Sequence, residues 1–396
     1  MARARSRCGK IAPGQIQGGL GRRAPAGALV TQSKPTSFDI AYLAGVSQPT
    51  VSRALRGSPM VSAETRKRIE AIAEQLNYKV DKNASNLRFQ HSNTLALLLF
   101  EDPTPDDSHI NPFFLAMLGS ITRACARRGY DLLVSFQQLS GDWHKDYEDS
   151  RKADGLILLG YGDYLDYQAR LEQLVRQGTH FVRWGAVVAG QPGLSIGCDN
   201  FRGGFDAARH LIGLGRRAIA FLGNASDHYP EFMERYRGYA EALGASGIKA
   251  AAQLRCDALS AEQSGYEAAM QLLASGAHFD AIVAASDLIA MGALRALQER
   301  HIEVPGSVSI VGFDDIPSAS LTNPPLTTVA QDTRRAGETL VDTLLRLITD
   351  DHAEGTVLPT RLVVRRSCGA TAPATAPAAA PATAPAAAPA APASPR

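Results

Sequence analysis

Cysteine is scarce in this 396-residue chain. There are five, Cys8, Cys125, Cys198, Cys256 and Cys368. None forms a CxxC pair or has a histidine at zinc-ligand spacing, which argues against a disulfide framework or a structural zinc and for a reducing compartment. Long apolar runs are missing too. The longest, Leu95–Phe100, falls far short of the roughly 20 residues needed to span a bilayer. The basic N-terminus lacks the apolar stretch of a secretory signal, so a cytoplasmic protein without membrane attachment is expected. No GxxxxGK[ST], HExxH or GxSxG occurs, and the nine histidines are scattered. Nothing specifies a phosphate cradle, a catalytic metal or a nucleophile, so neither an enzyme nor a cofactor is expected.

The net charge of +2 conceals an asymmetry. Residues 1–90 hold 15 Lys and Arg against 5 Asp and Glu, whereas the remainder holds 26 against 34. A basic N-terminal module on a mildly acidic body suggests a polyanionic partner. Residues 1–34 carry seven basic residues and no acid. They read as a disordered basic tail, with a mis-assigned start codon as the alternative favoured. Residues 369–396, almost wholly Ala, Pro, Thr and Ser, read as a solvated tail.

Residues 35–79 look helical. Phe38, Ile40, Ala41 and Ala44 repeat at helical spacing, and Gly45-Val46-Ser47 makes a turn with Ser47 as N-cap. A second helix is predicted from Gln48 to about Leu55, and a third after Ser62. Residues 80–92 form a polar, basic connector. Beyond it, short apolar runs such as Gly155–Leu159, Ala281–Ala284 and Val308–Phe313 alternate with amphipathic helices. This rhythm predicts an α/β architecture of parallel sheets covered on both faces. The length exceeds one comfortable sheet, so residues 93–368 should form two subdomains, with ligands at the carboxyl ends of the strands.

The string from Asp39 through Gly45-Val46-Ser47-Gln48-Pro49-Thr50-Val51-Ser52-Arg53 to Leu55 resembles the helix-turn-helix of the LacI/GalR family. The likeness continues through Val61-Ser62-Ala63-Glu64-Thr65-Arg66-Lys67-Arg68-Ile69 to Leu76-Asn77-Tyr78. A small bundle without a DNA role would explain the apolar positions but not the basic excess. Gln48 and Arg53 can read base edges, while Ser47, Thr50 and Ser52 are of a size to meet phosphate or pack closely. Pro49 has no donor at a position that often reads a base in the family, so readout should lean on Gln48 and Arg53. The resemblance implies that Leu87 wedges into the minor groove and that Arg88 contacts phosphate or groove. Val80 departs from the proline common there.

Residues 93–368 resemble the family's effector domain, which shares the fold of periplasmic sugar-binding proteins. The shared landmarks include Asn111-Pro112-Phe113-Phe114, Asp199-Asn200, Arg235, Ser286-Asp287 and Gly312-Phe313-Asp314-Asp315. The resemblance implies that Phe113 and Phe114 stack on the effector and that Arg235 donates a forked pair of hydrogen bonds. Asp199 and Asp314 would accept from hydroxyls, with Ser286 and Gln331 nearby. A sugar, with many hydroxyls and one apolar face, suits that set. Phe114 is read equally as core, Asp287 and Asp315 as helix caps, and Trp184 as packing. No aromatic ring stands at Ala258–Ser260, where some relatives place one. The implied partners are operator DNA, a small sugar and a second copy of the chain in a homodimer, in a sugar-released repressor. A periplasmic transport protein shares the fold but would have no use for a helix-turn-helix.

Overall fold

The structure is a computed structural model that describes residues 35–55, 57–78, 91–100, 110–136, 141–160, 162–350 and 352–370. Two compact units divide the chain at Ser85 and Asn86. Among the described residues the first unit holds three helices, α1 (Ser37–Ala44), α2 (Gln48–Leu55) and α3 (Ala63–Gln75). Thr36 and Asp39 form a reciprocal cap at the start of α1, the Thr36 amide donating to the Asp39 carboxylate at 2.7 Å. Gly45, at φ 64°, ends α1 in the left-handed region that glycine adopts without strain. Ser62 caps α3 by accepting the Thr65 amide. The core is small: Ile40, Val51 and Ile69 are wholly buried among alanines and Val61.

The second unit contains two six-stranded sheets. In chain order its elements are β1 (Thr94–Leu99), α4 (Pro112–Arg127), β2 (Asp131–Phe136), a π-helical turn (His144–Asp149), β3 (Gly155–Leu159), α5 (Tyr164–Gln177), β4 (Phe181–Trp184) and β5 (Leu194–Cys198). There follow α6 (Asn200–Gly213), β6 (Ile219–Leu222), α7 (Pro230–Ala245), β7 (Arg255–Cys256), α8 (Glu262–Ala274), β8 (Ala281–Ala284), α9 (Asp287–Glu299) and β9 (Ser309–Asp314). The last are β10 (Thr327–Gln331), α10 (Thr333–Asp350), β11 (Thr356–Leu358) and β12 (Thr360–Val363). The sheet orders are β11-β5-β4-β3-β1-β2 and β12-β10-β9-β8-β6-β7. All strand pairs are parallel except β10 with β12. The expectation of parallel sheets in two subdomains therefore holds.

Parallel strands covered on both faces should be apolar throughout. Leu95 to Leu99 and Leu156 to Leu159 are buried without alternation, while β2, at the edge of the first sheet, is half open to solvent. The chain passes between the subdomains three times, at Asp199, at Gln331-Asp332 and at Pro359. These crossings form the seam that positions the site.

Helices α6 and α7 pack backbone against backbone, which only glycine allows. A Cβ on Gly204 would lie 2.0 Å from the Arg235 carbonyl oxygen, and one on Gly238 would lie 1.9 Å from that of Phe201. Gly238→Ala should therefore part the two helices and lower unfolding free energy by about 1–3 kcal/mol or more. Urea denaturation measures this, and an unchanged midpoint would show that the helices can separate freely.

Candidate functional site

In the first unit, α2 presents its charged and polar side chains outward from the small core. Arg53 and Ser47 are exposed, and Gln48, Thr50 and Ser52 are half-buried. The Ser47 and Thr50 hydroxyls lie 2.9 Å apart, and the Ser47 carbonyl takes the Thr50 and Val51 amides, so Ser47 closes the first turn. Gln48 donates through Nε2 to the Ser37 hydroxyl at 3.2 Å, which ties it to α1. Arg53 projects from the last turn of α2. Lys67 and Arg68 are exposed on α3, whereas Arg66 donates to the Ser58 carbonyl. Leu87 and Arg88 lie outside the described residues, as do residues 1–34 and 371–396.

In the second unit, the sequence-selected residues gather at the strand ends facing the seam. Arg235, on α7, is 1% exposed. Its Nε donates to Asn200 Oδ1 at 2.8 Å and its Nη1 to the Ala285 carbonyl; Nη1 also lies 3.7 Å from Asp314 Oδ1. The guanidinium carbon sits 3.8 Å over the Phe313 ring. Gln331 Nε2 donates to Asp314 Oδ1 at 2.6 Å. Asp314 and Asp315 adopt φ 116° and 56° in succession. Such backbone is costly for residues other than glycine, and it tends to persist where surrounding contacts impose it, often at a site.

Phe113 and Phe114 start α4, both buried and 5.3 Å apart edge to face; Phe113 lies 6.2 Å from Trp184. Asn111 bridges the subdomains: its Oδ1 caps Phe113, its Nδ2 donates to Ser260, and Ser260 donates to Ser286, which caps α9. Asp199 is only partly exposed and spends one oxygen capping α6 through the Arg202 amide. A cavity of about 510 Å³ lies along the seam, lined by Phe113, Asp314, Gln331, Asp332, Pro359 and Thr360 among others. Thus Phe113, Asp314 and Gln331 line one cavity. Arg235 braces Asp314 from behind, Ser286 joins the bridge from Asn111, and Phe114 and Asp199 serve packing and capping.

Neither aspartate read as a possible cap serves as one. Asp315 pairs with Arg365 at 2.6 Å. Asp287 is fully buried and accepts from the Ile316 amide and the Thr328 hydroxyl. Burial, and next the charge of Asp314, push the Asp287 carboxyl well above the ordinary range; the two hydrogen bonds oppose this only in part. Burial likewise raises the Cys198 thiol to about 12, so it stays neutral beside Asn200. Sequence reasoning did not select three buried groups at the seam, Arg183, Asn200 and Glu231. The available signals were a charge inside the apolar run Phe181 to Trp184 and an acid in the first turn of α7.

Comparison with known proteins gives these sites a family. Residues 38–81 match the model for bacterial regulatory proteins of the lacI family, and residues 208–368 match the periplasmic binding protein-like domain. The chain is 32% identical over 343 residues to the HTH-type transcriptional regulator CelR of Thermobifida fusca, covering 84% of this chain and 98% of the relative. It is 31% identical over 334 residues to RegA of Clostridium saccharobutylicum, covering 83% and 98%. Among solved structures, a CelR–cellobiose complex is 30% identical with a TM-score of 0.63, covering 84% of this chain and 99% of that one. A lac repressor dimer bound to operator and an anti-inducer is 28% identical with a TM-score of 0.73, covering 85% and 99%. The chain is a helix-turn-helix transcription regulator with a periplasmic-binding-protein-like domain, and not an enzyme. It belongs to the LacI family of bacterial regulatory proteins.

Two outcomes follow from the buried charges. Arg235→Ala leaves Asp314 without its cation and removes one of the donors to Asn200, so it should cost about 3–5 kcal/mol of stability by thermal or urea unfolding. A loss below about 1 kcal/mol would show that the guanidinium is not needed to hold these strands. The second outcome concerns Asp287, whose folded value is higher than its free-chain value of 3.8. Unfolding therefore releases a proton between those values, and wild-type stability falls as pH rises through that window. Asp287→Asn cannot titrate, so its stability relative to wild type should climb as pH rises above the free-chain value of 3.8. A difference constant with pH would place the proton elsewhere.

Proposed function

We propose that this regulator is a homodimeric repressor that binds a near-palindromic operator through α2 and is released by a small sugar or sugar derivative in the seam of the second unit. In this reading residues 35–79 bind DNA, 80–92 form the hinge, and 93–368 sense the effector and dimerise, in the cytoplasm at the nucleoid. The observation that carries it is the cavity lined by Phe113, Asp314 and Gln331, where an apolar ring faces a carboxylate held by Arg235. Hydroxyl-rich ligands need that combination of acceptor, donor and apolar surface. Relatives solved with cellobiose and with operator support the assignment.

The roles divide by chemistry. Gln48 and Arg53 read bases, Ser47, Thr50 and Ser52 seat the helix on the backbone, Leu87 wedges between base pairs and Arg88 meets phosphate. Phe113 forms the apolar side of the sensing site, with Phe114 packed beside it in the core. Asp314 and Gln331 form its polar side, with Arg235 bracing Asp314, Ser286 holding the bridge from Asn111 and Asp199 capping α6 at the crossing.

Arg53→Ala should remove about 1–3 kcal/mol of discrimination between operator and random DNA. Lys67→Ala should weaken both alike and flatten the slope of log K against log salt by roughly 0.9. Fluorescence anisotropy over a salt series reads both. An equal loss on operator and random DNA for Arg53→Ala removes it from the reading role. An operator affinity that no sugar alters would sink the sensing half of the proposal.

A further inference from the structure

A second buried guanidinium, on Arg183, stands beside the seam, near Gly185 and Glu231. Arg183 is the third residue of β4 and is 2% exposed. Its Nη2 donates to the side-chain oxygen of Gln191, its charge lies 5.3 Å over the Tyr164 ring, and it donates to the Tyr167 hydroxyl oxygen. All three partners are neutral. Nε is buried without an acceptor, and among the described residues Arg183 forms no ion pair. A cation this deep is costly unless a counter-charge meets it.

The group faces the seam. A Cβ on Gly185 would stand 3.2 Å from Arg183 Nη1 and 2.8 Å from Glu231 Oε1, so a guanidinium of the first subdomain and a carboxylate of the second flank one glycine. Glu231 accepts the Ala186 amide at 2.9 Å and does not reach the guanidinium. Asp314 is engaged by Arg235 and Gln331. Close by, Asp163 accepts from His228 Nδ1 across the seam at 2.6 Å. The nearby carboxylates thus have other partners, while Arg183 stands at the carboxyl end of a parallel strand, where ligands of such sheets bind.

We propose that the effector carries an anionic group, a carboxylate or a phosphomonoester, and that Arg183 binds it; this rests on the seam being the sensing site proposed above. A planar guanidinium matches either oxyanion with paired N–H donors. A neutral sugar brings no charge into direct contact with the guanidinium, so the site favours the anion over its neutral parent. Arg183 is then the residue that separates a sugar acid or sugar phosphate from its neutral parent.

The test is calorimetric titration of the full chain with matched sets: aldohexoses and aldopentoses, their uronates and aldonates, and their phosphomonoesters. One anionic member should bind more tightly than its neutral parent by on the order of tenfold or more. The carboxylate and phosphate arms identify which oxyanion it is. Arg183→Gln should abolish the preference, and Arg183→Lys should keep part of it, because the charge survives without the fork. If Arg183→Gln does not fold, the wild-type preference and the Arg183→Lys reduction still decide. A neutral parent that binds as tightly as both anionic forms overturns the inference and leaves the sugar-sensing reading standing. Failure of every sugar, neutral or anionic, to bind removes both.

Discussion

Arg235 is buried where three segments of the second subdomain converge, and the site is built around its charge. Its donors reach Asn200 at the first crossing, Ala285 after β8 and Asp314 after β9, and its flat face rests on Phe313. Its depth is supported because Nε and Nη1 meet oxygens and the guanidinium lies against aromatic rings. The consequence is geometric. Strand ends that would otherwise be free to drift are tied to α7, and the strained backbone at Asp314 is held in place. The close approach of α6 and α7 at Gly204 and Gly238 serves the same end, since it lets Arg235 reach Asn200.

The hydrophobic core runs on from one subdomain into the other, and a few polar contacts tie the two across the seam. Asn111 to Ser260, Ala186 to Glu231 and Asp163 to His228 are the named links between subdomains. Hydrogen bonds of this kind contribute about 1 kcal/mol each, because water competes for the same groups. A ligand in the seam biases the relative orientation of the subdomains by its differential affinity for two arrangements and no more. Phe113, Asp314 and Gln331 are well placed to supply that difference, since Phe113 belongs to one subdomain and Asp314 to the other.

Much of this was legible in the sequence because the periods were clear. The three helices of the first unit follow from capping residues and apolar spacing, with Thr36 and Asp39 adding a reciprocal cap. Strands β1, β3, β8 and β9 are continuous apolar runs and were visible as such. The short strands β5, β7, β11 and β12 were not. Leu194–Cys198 has a serine and a glycine inside it, and Thr360–Val363 alternates with an arginine, so neither carries a strong apolar signal. These strands owe their existence to neighbouring edges more than to their own composition. Helix α10 was overlooked although Ala336, Gly337, Leu340, Val341 and Leu344 lie on one stripe. At the site, family motifs located Arg235 and Asp314, but not that Phe114 is core, that Asp287 is a buried acid between β9 and β10, or that Arg183 points at the seam. Those depend on which side of a strand end faces the other subdomain, and that is settled by tertiary packing.

The two sites also differ in how they should feel salt. Arg53, Lys67 and Arg68 lie in water on a unit with a very small core, so any attraction of theirs to a polyanion is screened by salt. Arg183 and Arg235 lie in a medium that ions do not enter, and their interactions with carboxylates or with a ligand are screened far less. Raising ionic strength should therefore weaken the grip on DNA steeply while changing effector recognition little. The exposed cations are suited to rapid, adjustable attachment to a polyanion, and the buried ones to discrimination among small molecules that differ by a single group. The same residue type does both kinds of work because desolvation, more than the guanidinium itself, sets how selective its contacts are.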